Sequence, residues 1–127
     1  MRFYRNTLGL RVAGTSENYG IELERLNNVF GARLRITALR ADSGPGVELL
    51  EYIAPRGGRL MPVDTQMNDL WSWRINMQAD VNAADQAVRQ QHTTYISPGM
   101  IKLESNTQKV GLMLRDPDGH AISFEQR

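Results

Sequence analysis

The two halves of the chain repeat the same order of secondary structure, and this repeat constrains the fold more than any other feature. Apolar spacing in the first half predicts helix, strand, a helical insert, strand and strand. The second half is predicted as strand, helix, strand, strand and strand. The halves match if the first has lost its opening strand, so the repeat indicates an α+β chain of two similar modules.

Local patterns set the predicted elements of the first half. Gly9 is a natural end for a short helix, because glycine readily takes the left-handed conformation that follows many helices. Leu34, Ile36 and Ala38 alternate with polar residues, as in a half-buried strand. The predicted elements are a helix at 3–8, a strand at 10–14, a loop at 16–20, a helical turn at 21–30, and strands at 32–41 and 47–53.

The hairpin KVGLMLRDPDGHAISFE, at 109–125, gives the strongest local signal. Val110, Leu112 and Leu114 alternate, so they share one face of a strand. The DPDG sequence that follows has proline and glycine where a tight turn needs them. The opposite face is semi-polar and is expected to border a cavity. The rest of the second half is predicted as a strand at 71–80, a helix at 82–91, and strands at 93–97 and 101–105.

Composition excludes several classes of protein. A chain of 127 residues with 41% apolar residues is long enough for one folded domain. A net charge of +1 gives no reason to expect nucleic acid or a membrane as a partner. The chain has thirteen arginines against two lysines, and arginine suits planar contacts with anions, but we expect most of these arginines to be solvated surface residues. The lack of cysteine excludes disulfides and thiolate sites. Without a long apolar run or a signal pattern, we expect a cytoplasmic protein.

Three stretches resemble the vicinal oxygen chelate proteins, a superfamily that includes glyoxalase I, extradiol dioxygenases and bleomycin resistance proteins. They are FYRNTLGLRV at 3–12, GPGVELLEY at 44–52 and RDPDGHAISF at 115–124. The resemblance implies two βαβββ modules whose curled mixed sheets enclose a pocket, with the opening strand of the first module missing. It implies a single domain over 1–127, with module one at 1–55, a linker at 56–70 and module two at 71–127.

The same resemblance implies a divalent metal that takes one ligand from each of four strands. Glu48 matches the glutamate of the first module, but Ser72 and Ser123 stand at the two ligand positions of the second. The remaining histidine position has no counterpart in the chain. Serine is a poor ligand for Zn, Ni, Mn or Fe, so we expect no metal cofactor. The alternative is a divalent metal at an altered site built on Glu48 and Glu125.

The histidines and tryptophans are assigned to structure rather than to the pocket. His92 and His120 are expected to point away from it. Trp71 and Trp73 share the parity of Ile75 along the predicted strand, which favours core packing against a helix over a place in a pocket wall.

Strand parity predicts which side chains face the pocket. One interpretation is that Glu48 pairs with Arg35 or Arg74, and Glu125 with another arginine, so that ion pairs fill the old metal site. The other is that a spare arginine binds an anionic ligand beside an apolar wall. The predicted ligand-binding residues are Arg35, Glu48, Tyr52, Ser72, Arg74, Asn76, Arg115, Ser123 and Glu125.

The sequence therefore predicts a metal-independent protein that binds an anionic or aromatic small molecule. One alternative is a metal-dependent lyase, isomerase or dioxygenase with an altered metal site. The other is an assembly module whose pocket is vestigial. We also expect a homodimer in which a partner covers the open edge of the first sheet, since exposed edges are usually covered. A shortened gene product is the alternative explanation of that edge.

Overall fold

The computed structural model describes residues 1–91, 93–104 and 108–126. The chain divides into two compact units, Met1–Arg59 and Leu60–Arg127. Each unit carries its own sheet, and helices accompany both, so the predicted α+β class is confirmed. The unit boundary falls inside the stretch 56–70, most of which is part of the second unit. The predictions for His92 and for the end of the strand at 101–105 lie outside the described residues.

The first unit begins with a short helical turn of the π type, Phe3–Thr7. Gly9, at φ +74°, follows it as predicted, because glycine accepts a positive φ without strain. The elements that follow are β1 (Arg11–Tyr19), α1 (Ile21–Asn27), β2 (Arg33–Arg40) and β3 (Val47–Ala54). The sheet has the order β1-β2-β3 with both pairs antiparallel, and its buried apolar residues include Leu34 and Leu39.

The predicted loop at 16–20 is wrong. Strand β1 continues through Ser16 and Asn18 to Tyr19, and each of these residues pairs with β2. Every residue of β1 is exposed, so no alternation of apolar and polar residues marks it as a strand. Its pairing with β2, rather than its own sequence, holds it extended.

Strand β3 lies at an edge of the first sheet. Within the described residues no further strand pairs with it on its outer side. In the second unit the corresponding closing strand, β7 (Ala121–Gln126), lies between two neighbours. The first sheet is therefore one strand smaller than the second, as the sequence repeat predicted.

Besides β7, the elements of the second unit are β4 (Arg74–Ala79), α2 (Val81–Arg89), β5 (Ile101–Lys102) and β6 (Val110–Arg115). The strands form a mixed sheet with the order β4-β7-β6-β5. Strand β4 runs parallel to β7, whereas β6 is antiparallel to both of its neighbours. The predicted strand at 71–80 thus begins only at Arg74. The one predicted at 93–97 is reduced to a single bridge between Tyr95 and Leu114.

One face of the second sheet is a buried apolar layer. The buried apolar residues of this layer and of α2 are Val81, Val88, Leu112, Leu114, Ile122 and Phe124. The opposite face carries the polar side chains, so the alternation read in the hairpin is confirmed. None of the helices in the described part of the chain is long and apolar enough to cross a membrane.

The β6–β7 turn is built around the Asp116 side chain. Its Oδ1 accepts the backbone N–H groups of Asp118 at 2.9 Å and His120 at 2.8 Å. Gly119 has a φ of +95°, which favours glycine. A Cβ at Gly119 would also lie 2.7 Å from the Cβ of Met61. The turn predicted from DPDG is therefore confirmed, and Gly119 also lets the 61–67 stretch approach closely.

Candidate functional site

A cavity of about 260 Å³ lies on the polar side of the second unit. We call it the second-unit cavity. The hairpin supplies one wall and the irregular stretch before β4 another. It is lined by Met61, Thr65, Gln66, Met67, Ser72, Trp73, Ile96, Met113, Arg115, Gly119, His120 and Ala121.

Arg115 is the cation of this cavity, and backbone oxygens fix its position. Its Nη1 donates to the Gly119 carbonyl at 2.7 Å and its Nη2 to the Thr65 carbonyl at 3.1 Å. Among the residues that the structure describes, no carboxylate forms an ion pair with Arg115. A guanidinium has more N–H donors than these two bonds use. The remaining donors can therefore bind an anion.

Trp73 and His120 form an aromatic wall beside Arg115. Their ring centroids lie 4.4 Å apart with the planes tilted by 32°. The His120 Nδ1 lies 3.4 Å from the Asp116 Oδ2, so the buried carboxylate helps to orient the ring. This pair offers a planar apolar surface to a ligand.

The core packing predicted for both tryptophans is wrong, and so is the orientation predicted for His120. Trp71 is 53% exposed and Trp73 is 49% exposed. The sheet begins at Arg74, so strand parity does not extend back to either tryptophan. Trp71 instead donates its Nε1 hydrogen to the Thr65 Oγ1 at 3.3 Å. His120 precedes β7 within the turn, where strand parity does not apply either.

The pairing register brings several predicted site residues to one face of the second sheet. Asn76 pairs with Ser123 across β4 and β7, and Ser123 pairs with Met113 across β7 and β6. The buried Ser123 hydroxyl donates to the Asn76 Oδ1 at 2.6 Å. The predicted residues on this face are Arg74, Asn76, Arg115, Ser123 and Glu125. Ser72 precedes the sheet but lines the cavity together with Arg115.

In the first unit, the strands do not place Arg35 on one face with Glu48 and Tyr52 as predicted, although Arg35 and Tyr52 both line a groove at the end of β3. Directly paired residues of antiparallel strands share a face. Glu48 pairs with Ala38, and Tyr52 pairs with Leu34. Arg35 pairs with Glu51, so its side chain lies on the opposite face of the sheet from Glu48 and Tyr52. The alternation within each strand was read correctly, but the sequence did not reveal the register between strands.

Arg35, one of the two partners predicted for Glu48, does not form an ion pair with it. Arg35 donates instead to Glu51 at 3.1 Å and to Glu17 at 3.5 Å. Both carboxylates lie opposite Arg35 on the neighbouring strands, on the same face. A hydrogen bond from Arg33 at 2.7 Å is the main cause of the lowered pKa of Glu17, and Arg35 adds a smaller effect in the same direction.

The residues at the expected ligand positions do not fit a catalytic divalent metal. The Ser123 hydroxyl is engaged as a donor to Asn76, and a neutral serine in that arrangement is a weak ligand. In the described part of the chain, no three histidine, aspartate or glutamate side chains are grouped closely enough to hold an ion. The geometry offers hydrogen-bond donors, an uncompensated cation and an aromatic surface.

Sequence reasoning missed most of the cavity wall. The segment at 61–67 has no periodicity, so nothing in it indicated that Met61, Thr65 and Met67 would meet the hairpin. His120 had a signal that could have been used. It lies four residues after Asp116, at the end of a turn that an aspartate side chain commonly closes.

Comparison with known proteins identifies the fold. Neither a protein-family model nor a curated protein matches the sequence. Among solved structures, a glyoxalase family protein from Bacillus cereus matches with a TM-score of 0.75 and 16% identity, over 95% of this chain and 80% of that one. An antibiotic binding protein from a Streptomyces species has a TM-score of 0.52 and 19% identity, over 98% of this chain and 81% of its own.

A third match carries the name of the superfamily. A member of the glyoxalase/bleomycin resistance protein/dioxygenase superfamily from Sphaerobacter thermophilus has a TM-score of 0.51 and 15% identity, over 99% of this chain and 84% of its own. At such low identities, the comparison concerns the fold and not the chemistry. It agrees with the resemblance that the three sequence motifs indicated.

Proposed function

Because the chain has the fold of the vicinal oxygen chelate proteins, we propose that it binds a small aromatic anion in the second-unit cavity without a catalytic metal. The observation that carries this proposal is Arg115. It is a cation fixed by two backbone carbonyls, with no carboxylate partner among the described residues, beside a stacked Trp73 and His120. A carboxylate on a planar ring would meet complementary groups at both ends.

The size of the cavity narrows the ligand class. Pockets for drug-sized ligands usually measure roughly 300–1,000 Å³. The second-unit cavity, at about 260 Å³, is slightly below that range. It therefore suits a compound with one ring, or two fused rings, better than a large antibiotic.

The remaining wall allows the cavity to accept related ligands. Met61, Met67 and Met113 are unbranched and polarizable, so they adapt to different ring shapes. Ser72 and Gln66 add polar groups to the lining. One structural neighbour is named an antibiotic binding protein, which supports a binding role on this fold.

Calorimetric titration with benzoate and indole carboxylates tests the binding proposal. We expect binding by the wild type, with the affinity reduced roughly tenfold to a hundredfold by Arg115→Met, since a hydrogen bond to a charged group contributes about 1.5–3 kcal/mol. Trp73→Leu should weaken the aromatic ligands more than acetate. Arg25→Gln is the matched control, because Arg25 is exposed on α1 and lines neither this cavity nor the groove at the end of β3. Equal affinities for wild type and Arg115→Met would contradict the proposal.

Metal analysis separates this proposal from a metal-dependent enzyme. Protein purified without chelators should contain no stoichiometric Zn, Ni, Mn or Fe, and chelator treatment should leave benzoate affinity unchanged. Loss of affinity on chelation, restored by one of these ions, would instead favour the enzyme.

We also propose that the chain forms a homodimer in which the partner covers the outer side of β3. Leu50, in this edge strand, is 51% exposed. Exposed apolar edge strands promote pairing with other chains unless they are covered. The corresponding position beside β7 is filled by β4 in the second unit, which supports this reading.

A further inference from the structure

A separate groove of about 790 Å³ lies in the first unit, at the end of β3. We call it the first-unit groove. Its apolar wall includes Val29, Tyr52, Ile53 and Pro55. Its volume is within the range of roughly 300–1,000 Å³ that is usual for organic ligands.

The charges around the groove leave one cation uncompensated. Arg35 is bound by Glu51 at 3.1 Å and by Glu17 at 3.5 Å, so its charge is already neutralised. Arg56 also lines the groove. Within the described residues, Arg56 has neither a hydrogen bond nor an ion pair. An arginine beside an apolar wall suits a ligand that has an anionic end and an apolar body.

The two glycines that follow Arg56 keep this side of the groove open. Gly57 has a φ of +93°, a conformation that favours glycine. Gly58 lies outside the left-handed region, and a Cβ added there would meet no atom within 4 Å. A side chain at Gly58 would therefore occupy open space without backbone strain.

We propose that the first-unit groove is a second binding site, for an elongated amphipathic anion whose charged group binds Arg56 and whose apolar body lies against Tyr52, Ile53 and Pro55. The site lies entirely within the first unit. It does not depend on Arg115 or on the ligand proposed for the second-unit cavity. The two sites differ in volume and therefore in the size of the ligand that they accept.

Fluorescence titration with 8-anilinonaphthalene-1-sulfonate tests the second site, because this probe is an elongated aromatic anion. We expect saturable binding that Arg56→Gln weakens about tenfold, which corresponds to about 1.4 kcal/mol. Gly58→Leu should abolish it by filling the groove. Gly14→Leu is the matched control for added apolar bulk, since a Cβ at Gly14 also meets no atom within 4 Å.

The remaining outcomes assign the probe to one site. Loss of binding in Arg115→Met with retention in Arg56→Gln would assign the probe to the second-unit cavity and would overturn the proposal. Equal binding by wild type and Gly58→Leu would overturn it as well. Far-ultraviolet circular dichroism of Gly58→Leu checks that the variant is folded. Arg56 is exposed, so Arg56→Gln tests binding at this site without adding bulk.

Discussion

Tyr95 connects helix α2 to a segment that borders the second-unit cavity. Its hydroxyl donates to the Asp85 Oδ1 at 2.7 Å, and the Arg89 Nε donates to the Asp85 Oδ2 at 2.8 Å. Ile96, the next residue, lines the cavity. Burial, together with the hydrogen bond to Asp85, raises the pKa of Tyr95 to about 12. The bonds from Arg89 and Tyr95 lower the pKa of Asp85.

These shifts predict a loss of stability at both ends of the pH scale. The pKa of Tyr95 is raised on folding, so its contribution is complete below pH 10.0 and lost as the pH rises toward about 12. The pKa of Asp85 is lowered, so its contribution is lost as the pH falls below 3.8. Tyr95→Phe should reduce the free energy of unfolding at pH 7 by about 1.5 kcal/mol and remove the alkaline loss.

Urea unfolding between pH 7 and 12 measures this effect. Tyr19→Phe is the control. Because Tyr19 is 74% exposed, this substitution should change the free energy of unfolding little. An unchanged alkaline profile in Tyr95→Phe would show that the loss has another origin.

Single residues of the site were predictable where a strand fixed their direction. Arg115 and Ser123 follow from alternation in the hairpin. Trp73 and His120 lie just outside β4 and β7, where alternation no longer determines which way a side chain points. Parity carried beyond the end of a strand gave the wrong orientation for both.

Helix α2 owes its start to a single side chain. The Asp80 Oδ1 accepts the backbone N–H groups of Asn82 at 3.0 Å and Ala83 at 3.1 Å. These donors have no partner inside the helix, so a capping side chain stabilises it. Asp80→Ala should lower the free energy of unfolding by about 1 kcal/mol, and Asp80→Asn should restore most of the loss.

Thermal and urea unfolding of the two variants checks this prediction. An equal loss in Asp80→Asn would mean that charge near the helix end, rather than capping, is responsible. Since α2 also holds Tyr95 through Asp85, the Ala variant should lower the hydrogen-exchange protection of the neighbouring Ile96 amide, which donates to the Met113 carbonyl at 2.9 Å.

Elements were predictable from the sequence when their faces differed in polarity. The hairpin and α2 have one buried and one exposed side, and both were identified. Strand β1 is exposed on both faces and resembles a polar loop. The register between β2 and β3 depends on the geometry of the turn at 41–46, which the sequence alone leaves open.

At the scale of the whole molecule, the sequence repeat predicts that two chains associate at the outer side of β3. Light scattering at micromolar concentration should give twice the mass of one chain. Leu50→Lys should shift the protein toward the monomer, because a charged side chain on an edge strand opposes pairing. Leu60→Lys is the matched control, since Leu60 is 89% exposed in the other unit. A monomeric wild type would contradict the dimer.

The two carbonyl bonds of Arg115 affect binding before any ligand arrives. A mobile arginine loses rotamer entropy worth about 1.5–2 kcal/mol when it is held in one position. Here the bonds to Gly119 and Thr65 impose that order during folding, so the proposed ligand meets a preorganised guanidinium. A substitution in the 61–67 stretch that breaks the hydrogen bond from Arg115 to the Thr65 carbonyl would therefore weaken ligand affinity, even if it removed no contact with the ligand.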